Sequence, residues 1–113
     1  MKFLILGTPS CQYCLKAKEA LIGASVKGSA DYEYVDLDTV YGSEWRRIFT
    51  LLTPLIRGAR TIPLIFRGNG DLPILSKDTE TEFRDQLAKW TFIGGYGELL
   101  TLLDDELELS DDY

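Results

Sequence analysis

The chain has 113 residues, 45% of them apolar and 27% charged, which suits one domain with a core of its own. No apolar run is long enough to span a bilayer and no basic patch suits nucleic acid, so neither kind of partner is expected. The net charge of -6 gathers at one end: residues 104–113 (DDELELSDDY) carry six acidic groups and no basic one, which reads as a frayed or disordered tail behind a nearly neutral body.

Lys2 to Leu6 reads as a buried first strand, stopped by Gly7 and Pro9. That run is too short for a secretory signal, so a cytosolic location is expected, where thiols stay reduced. A helical pattern follows from Gln12 to Ile22, with Cys14, Ala17 and Leu21 on one face and Gly23 as its stop. Tyr32 to Asp36 is rich in strand formers. A second helix is expected from about Ser43, with Trp45, Ile48, Phe49 and Leu52 as its apolar stripe. Thr53 and Pro54 look like the cap and first residue of one more short turn, ended by Gly58. The β-α-β order makes the first two strands parallel. A third strand covers Ile62 to Phe66, and Gly68-Asn69-Gly70-Asp71 is a turn. A surface helix spans Asp78 to Lys89, capped by Asp78 or Thr79. Trp90 to Ile93 forms the fourth strand, Gly94 to Gly97 a tight turn, and Glu98 to Leu103 a last short helix. No repeat or second domain is visible.

Cys11 and Cys14 are the only cysteines, and there is no histidine. A structural zinc site needs four ligands, so this chain could not fill one without carboxylates, and no metal is expected. Simple packing would account for Cys14 beside Ala17, but not for Cys11 at a polar helix start. Reversible redox chemistry accounts for both. The first turn of a helix has unpaired N–H groups and the positive end of the dipole. A cysteine there, in a C-x-x-C pair, can have its pKa lowered from about 8.5 to roughly 3.5–7.5. Lys16 and Lys18 add positive potential nearby. Cys11 then serves as nucleophile, and Cys14, one turn on and more buried, attacks the mixed disulfide that results.

Three ordered motifs extend this reading: Cys11-Gln12-Tyr13-Cys14, Gly58-Ala59-Arg60-Thr61-Ile62-Pro63 and Ile93-Gly94-Gly95-Tyr96. With them the chain resembles a dithiol glutaredoxin. The resemblance implies an α/β, thioredoxin-like fold: a four-stranded mixed sheet flanked by helices, over a domain of residues 1–103. It implies a glutathione-dependent thiol-disulfide oxidoreductase, a monomer that reduces protein disulfides or glutathione mixed disulfides and takes part in electron transport. Ribonucleotide reductase is one client it suggests. Cys11 and Cys14 would be catalytic and Tyr13 would flank them. Pro63 would be cis, leaving the Ile62 backbone free to pair with glutathione. Arg60 would reach the glycine carboxylate, and Gly95, Tyr96 and Gly97 would offer N–H groups to the γ-glutamyl end.

Three departures stand out. Gln12 replaces the family's proline. Gly97 stands where many members have an acidic or hydroxyl side chain, a loss for which Glu98 could substitute. About twenty residues, roughly 68–89, are inserted between strands three and four, either to dock a partner or as a surface loop. Two further readings keep the fold: reduction by thioredoxin reductase instead of glutathione, or a [2Fe-2S] cluster held between two chains.

Overall fold

The computed structural model describes residues 2–26 and 31–107. Four strands form one mixed sheet in the order β2-β1-β3-β4. Strand β1 (Lys2–Gly7) runs parallel to β2 (Asp31–Asp36) and antiparallel to β3 (Leu64–Gly68), which pairs antiparallel with β4 (Thr91–Gly94). Between β1 and β2 lies α1 (Gln12–Val26). The next crossover holds α2 (Leu37–Tyr41), a 3₁₀ turn (Gly42–Glu44) and α3 (Arg47–Leu51). Helix α4 (Glu80–Leu87) precedes β4, and α5 (Tyr96–Leu107) follows it.

Successive side chains of β1 point to opposite faces, and both faces are covered. Phe3 and Ile5 pack with Ala17, Leu21, Ile65, Leu99 and Leu103, which seats α1 and α5 on one side. Leu4 and Leu6 pack with Leu37, Ile48, Phe49, Leu52, Ile56, Leu64 and Phe66 on the other. The inserted segment joins this second core through Leu75, Phe83 and Leu87. It therefore contributes side chains to this hydrophobic layer, which a loop lying wholly on the surface would not. Its Glu80 ties it to the preceding crossover. The carboxylate accepts from both Nε (3.0 Å) and Nη2 (2.9 Å) of Arg47, and from the Tyr41 hydroxyl.

Several boundaries differ from the sequence-based expectation. Helix α1 runs through Gly23 to Val26, since one glycine in a helix interior costs only about 1 kcal/mol. The second helix starts at Leu37, not Ser43, because Asp36 caps it, accepting from Asp38 N–H at 2.9 Å. Gly42, at φ 61°, closes that helix. Trp45 lies in the turn before α3, partly buried against the core, while Ile48, Phe49 and Leu52 are buried as expected. Thr53 opens no new helix. Its hydroxyl turns back to the carbonyls of Phe49 (2.7 Å) and Thr50 (3.2 Å), ending α3. Strand β3 begins two residues late, after Pro63. Helix α4 starts at Glu80, and the Thr79 hydroxyl serves the preceding loop, accepting from Ser76 N–H and donating to the Ile74 carbonyl. The expected turn at Gly97 is already helix, for α5 begins at Tyr96. It extends to Leu107, so residues 104–107 of the expected tail are helical. Residues 108–113 lie outside the described part. Among the described residues no helix is long and apolar enough to cross a membrane.

Candidate active site

Cys11 caps α1. Its carbonyl accepts the Leu15 N–H at 3.1 Å, and its Sγ accepts the Cys14 N–H at 3.1 Å, the place a serine or aspartate oxygen takes in other helices. The Cys11 N–H donates to the Thr8 carbonyl at 3.3 Å, closing the turn between β1 and α1. The same carbonyl accepts the Tyr34 hydroxyl at 2.9 Å, so the turn is tied to β2. Burial, then the charges of Asp36 and Asp38, push the Tyr34 pKa above the ordinary tyrosine value, which keeps the hydroxyl a donor.

Cys14 is fully buried and Cys11 half-buried, and the two sulfurs are bonded, with Cα atoms 5.2 Å apart. The order of exposure matches nucleophile and resolving thiol. Gly7 makes room for the pair. A Cβ there would lie 2.5 Å from Cys14 Sγ and 2.8 Å from the Tyr34 hydroxyl. Two cations rest on rings nearby: Lys16 Nζ is 5.2 Å from the Tyr13 ring centroid and Lys18 Nζ 5.7 Å from that of Tyr34.

The Ile62–Pro63 peptide bond is cis. The Ile62 carbonyl oxygen lies 3.9 Å from Cys11 Sγ. A disulfide sulfur has no proton to donate, so this is a contact and not a hydrogen bond. Beside it opens a groove of about 440 Å³, lined by Tyr13 from α1, Ile62 and Pro63 ahead of β3, and Gly95, Tyr96 and Gly97 at the start of α5. Tyr13, 58% exposed, and Tyr96 face each other across it, ring centroids 6.0 Å apart.

The fold thus gathers Tyr13, Ile62, Pro63, Gly95, Tyr96 and Gly97 beside Cys11, from segments far apart in sequence. Arg60 is exposed and lines neither this groove nor the cleft next to it. The Gly95 N–H already donates to Glu98 Oε1 at 2.7 Å, the glutamate half of a capping box at the start of α5. Gly94, at φ 131°, lets Glu98 fold back, since a Cβ there would meet its side chain at 2.8 Å. The neighbouring cleft, about 320 Å³, shares Thr61, Pro63 and Gly95 with the groove and carries Arg57 and Glu98 on its walls. Sequence reading missed Gly7, Tyr34 and Arg57 as site residues. A glycine ending the strand just before C-x-x-C was a usable signal for the first. Nothing local marks Arg57, whose place depends on how residues 52–58 turn.

The glutaredoxin family model matches residues 2–72. The chain belongs to the glutaredoxin family. Its structure is similar to that of reduced Escherichia coli glutaredoxin, with a TM-score of 0.61 and 20% identity over 96% of this chain and 99% of that one. At that identity the likeness concerns the fold, which is thioredoxin-like. No curated protein matches the sequence. The family match stops within the insertion, so α4, β4 and α5 lie outside it. With its redox-active cysteine pair at the head of α1, this glutaredoxin is a thiol-disulfide oxidoreductase.

Proposed function

We propose that the enzyme draws its electrons from glutathione and reduces protein disulfides or glutathione mixed disulfides in the cytosol, as a monomer. The observation that carries this reading is the groove beside Cys11, where the Ile62 carbonyl, two tyrosine rings and the start of α5 converge. It is large enough for a tripeptide backbone to lie against the edge at Ile62. The Cys11 thiolate attacks one sulfur of the client disulfide. That S–S bond breaks, the departing thiolate takes a proton, and a mixed disulfide forms at Cys11. Cys14 loses its proton and attacks Cys11 Sγ, releasing the client as a thiol and closing the Cys11–Cys14 bond. Two glutathione molecules restore the dithiol and leave as glutathione disulfide. Ribonucleotide reductase, whose turnover consumes dithiols, is one client this chemistry would serve.

A second reading, with thioredoxin reductase as donor, is favoured by two observations. The Gly95 N–H is occupied by Glu98, and Arg60 is not among the residues lining the groove. The deciding experiment is a coupled disulfide-reduction assay, run once with glutathione and glutathione reductase and once with thioredoxin reductase alone. Turnover with glutathione only is expected, and Cys11→Ser should abolish it. Turnover with thioredoxin reductase only would replace the first reading by the second.

A further inference from the structure

Arg57 is the only non-glycine residue with a positive φ, 53°, among the described residues, and Gly58 follows at 76°. A side-chain-bearing residue takes this conformation at a cost, and only where its surroundings hold it there. Ile56 before it is buried in the core. The guanidinium carbon lies 4.9 Å from the ring centroid of Phe92 in β4, and that ring packs on Phe66 at 5.2 Å. The cation is therefore parked on the sheet at the wall of the 320 Å³ cleft. Glu98 lines the same cleft, but its carboxylate is engaged by the Gly95 N–H, and among the described residues no ion pair joins it to Arg57.

The geometry points to Arg57 as a specificity residue for protein clients: the cleft receives a single carboxylate carried next to the client's reactive cysteine. The cleft opens off the Cys11 groove through Thr61, Pro63 and Gly95. The Ile62 carbonyl touches Cys11 Sγ and Pro63 lines both groove and cleft, so a client that is bonded to Cys11 and follows this edge, at about 3.3 Å per residue, carries a neighbouring residue toward the cleft. The guanidinium rests against an uncharged ring, so its N–H groups remain available to grip a carboxylate. Glu98 repels a second acid, which limits the preference to one carboxylate at the Arg57 end.

The inference rests on the oxidoreductase activity and not on glutathione, so the test leaves glutathione out. Three peptides carry Glu, Ala or Lys beside a cysteine activated as its 2-thiopyridyl disulfide. Reduced enzyme attacks the peptide sulfur, thiopyridone leaves, and its absorbance gives the rate. The peptide with Glu should react roughly fivefold to tenfold faster than the one with Lys at low salt, from attraction on one side and repulsion on the other. Added salt should shrink the ratio. It should fall to one or below in Arg57→Ala, where Glu98 is left as the charge on the cleft wall, and invert clearly in Arg57→Glu. Arg57→Gly, which suits a positive φ, serves if Arg57→Ala folds poorly. A ratio taken within each variant cancels a general loss of activity. A ratio near one in the unaltered enzyme, or a ratio that survives Arg57→Ala and Arg57→Gly, overturns the inference.

Discussion

Gly7 has no side chain because Cys14 and Tyr34 fill the space one would need. Gly7→Ala pushes a methyl group into Cys14 Sγ and the Tyr34 hydroxyl, so it should cost about 2 kcal/mol, read as a lower urea midpoint. Because the displaced atom is the resolving sulfur, the mixed disulfide at Cys11 should also live longer, as mass spectrometry of quenched reactions would show. Tyr34→Phe is milder. It removes one donor from the Thr8 carbonyl but leaves the Cys11 N–H bound there, so a loss of about 1 kcal/mol is expected. If Tyr34 positions the cysteine turn, the rate of Cys11 alkylation against pH should shift as well. A profile unchanged in Tyr34→Phe would confine that residue to stability. At this scale the two cysteines, Pro63 and the glycines after β4 were legible from motif alone. Gly7 had a local signal in its place just before C-x-x-C that went unused, and Tyr34 had none, because its partner Thr8 is 26 residues away in the turn after β1.

At the scale of elements, the inserted segment behaves as core. Phe83 is completely buried in α4, so Phe83→Ala should cost about 3–5 kcal/mol, far more than truncation on a surface loop. A midpoint change below about 1 kcal/mol would return the segment to the role of decoration. Glu80 gives the same element a pH signature. Hydrogen bonds from Arg47, then Tyr41, hold its carboxyl below the ordinary carboxylate value. A lowered folded-state pKa stabilises fully above the unfolded value and loses that stabilisation as pH falls through the folded one. Glu80→Gln should therefore lose about 1 kcal/mol at neutral pH, kept small because Arg47 is half-exposed, and the gap should close toward strongly acidic pH. The helix starts show why boundaries moved. Asp36 and Glu98 cap α2 and α5 with their own side chains, and both signals lay in the sequence, yet Gly42-Ser43 and Gly94-Gly95 read locally as better stops and starts.

Across the whole molecule, one sheet carries two hydrophobic layers, and both tryptophans, Trp45 and Trp90, pack on the same one. If the layers unfold together, tryptophan fluorescence and far-UV circular dichroism should give coincident denaturation curves, since α1 and α5 on the other layer dominate the helical signal. A fluorescence transition at lower denaturant would make the α2–α4 layer a separate cooperative unit.

The chain's own sequence determined the fold class, the strand order along the chain and the redox pair. Those depend on local periods and on a thiol placed at a helix start, which adjacent residues specify. Tertiary structure alone decided that the insertion contributes to a core layer and that Tyr34 anchors the cysteine turn. It likewise set Arg57, not Arg60, at the wall of the cleft beside the groove. Each of these rests on contacts between residues far apart in the chain, set by how two layers close over one sheet, and no local pattern encodes that distance.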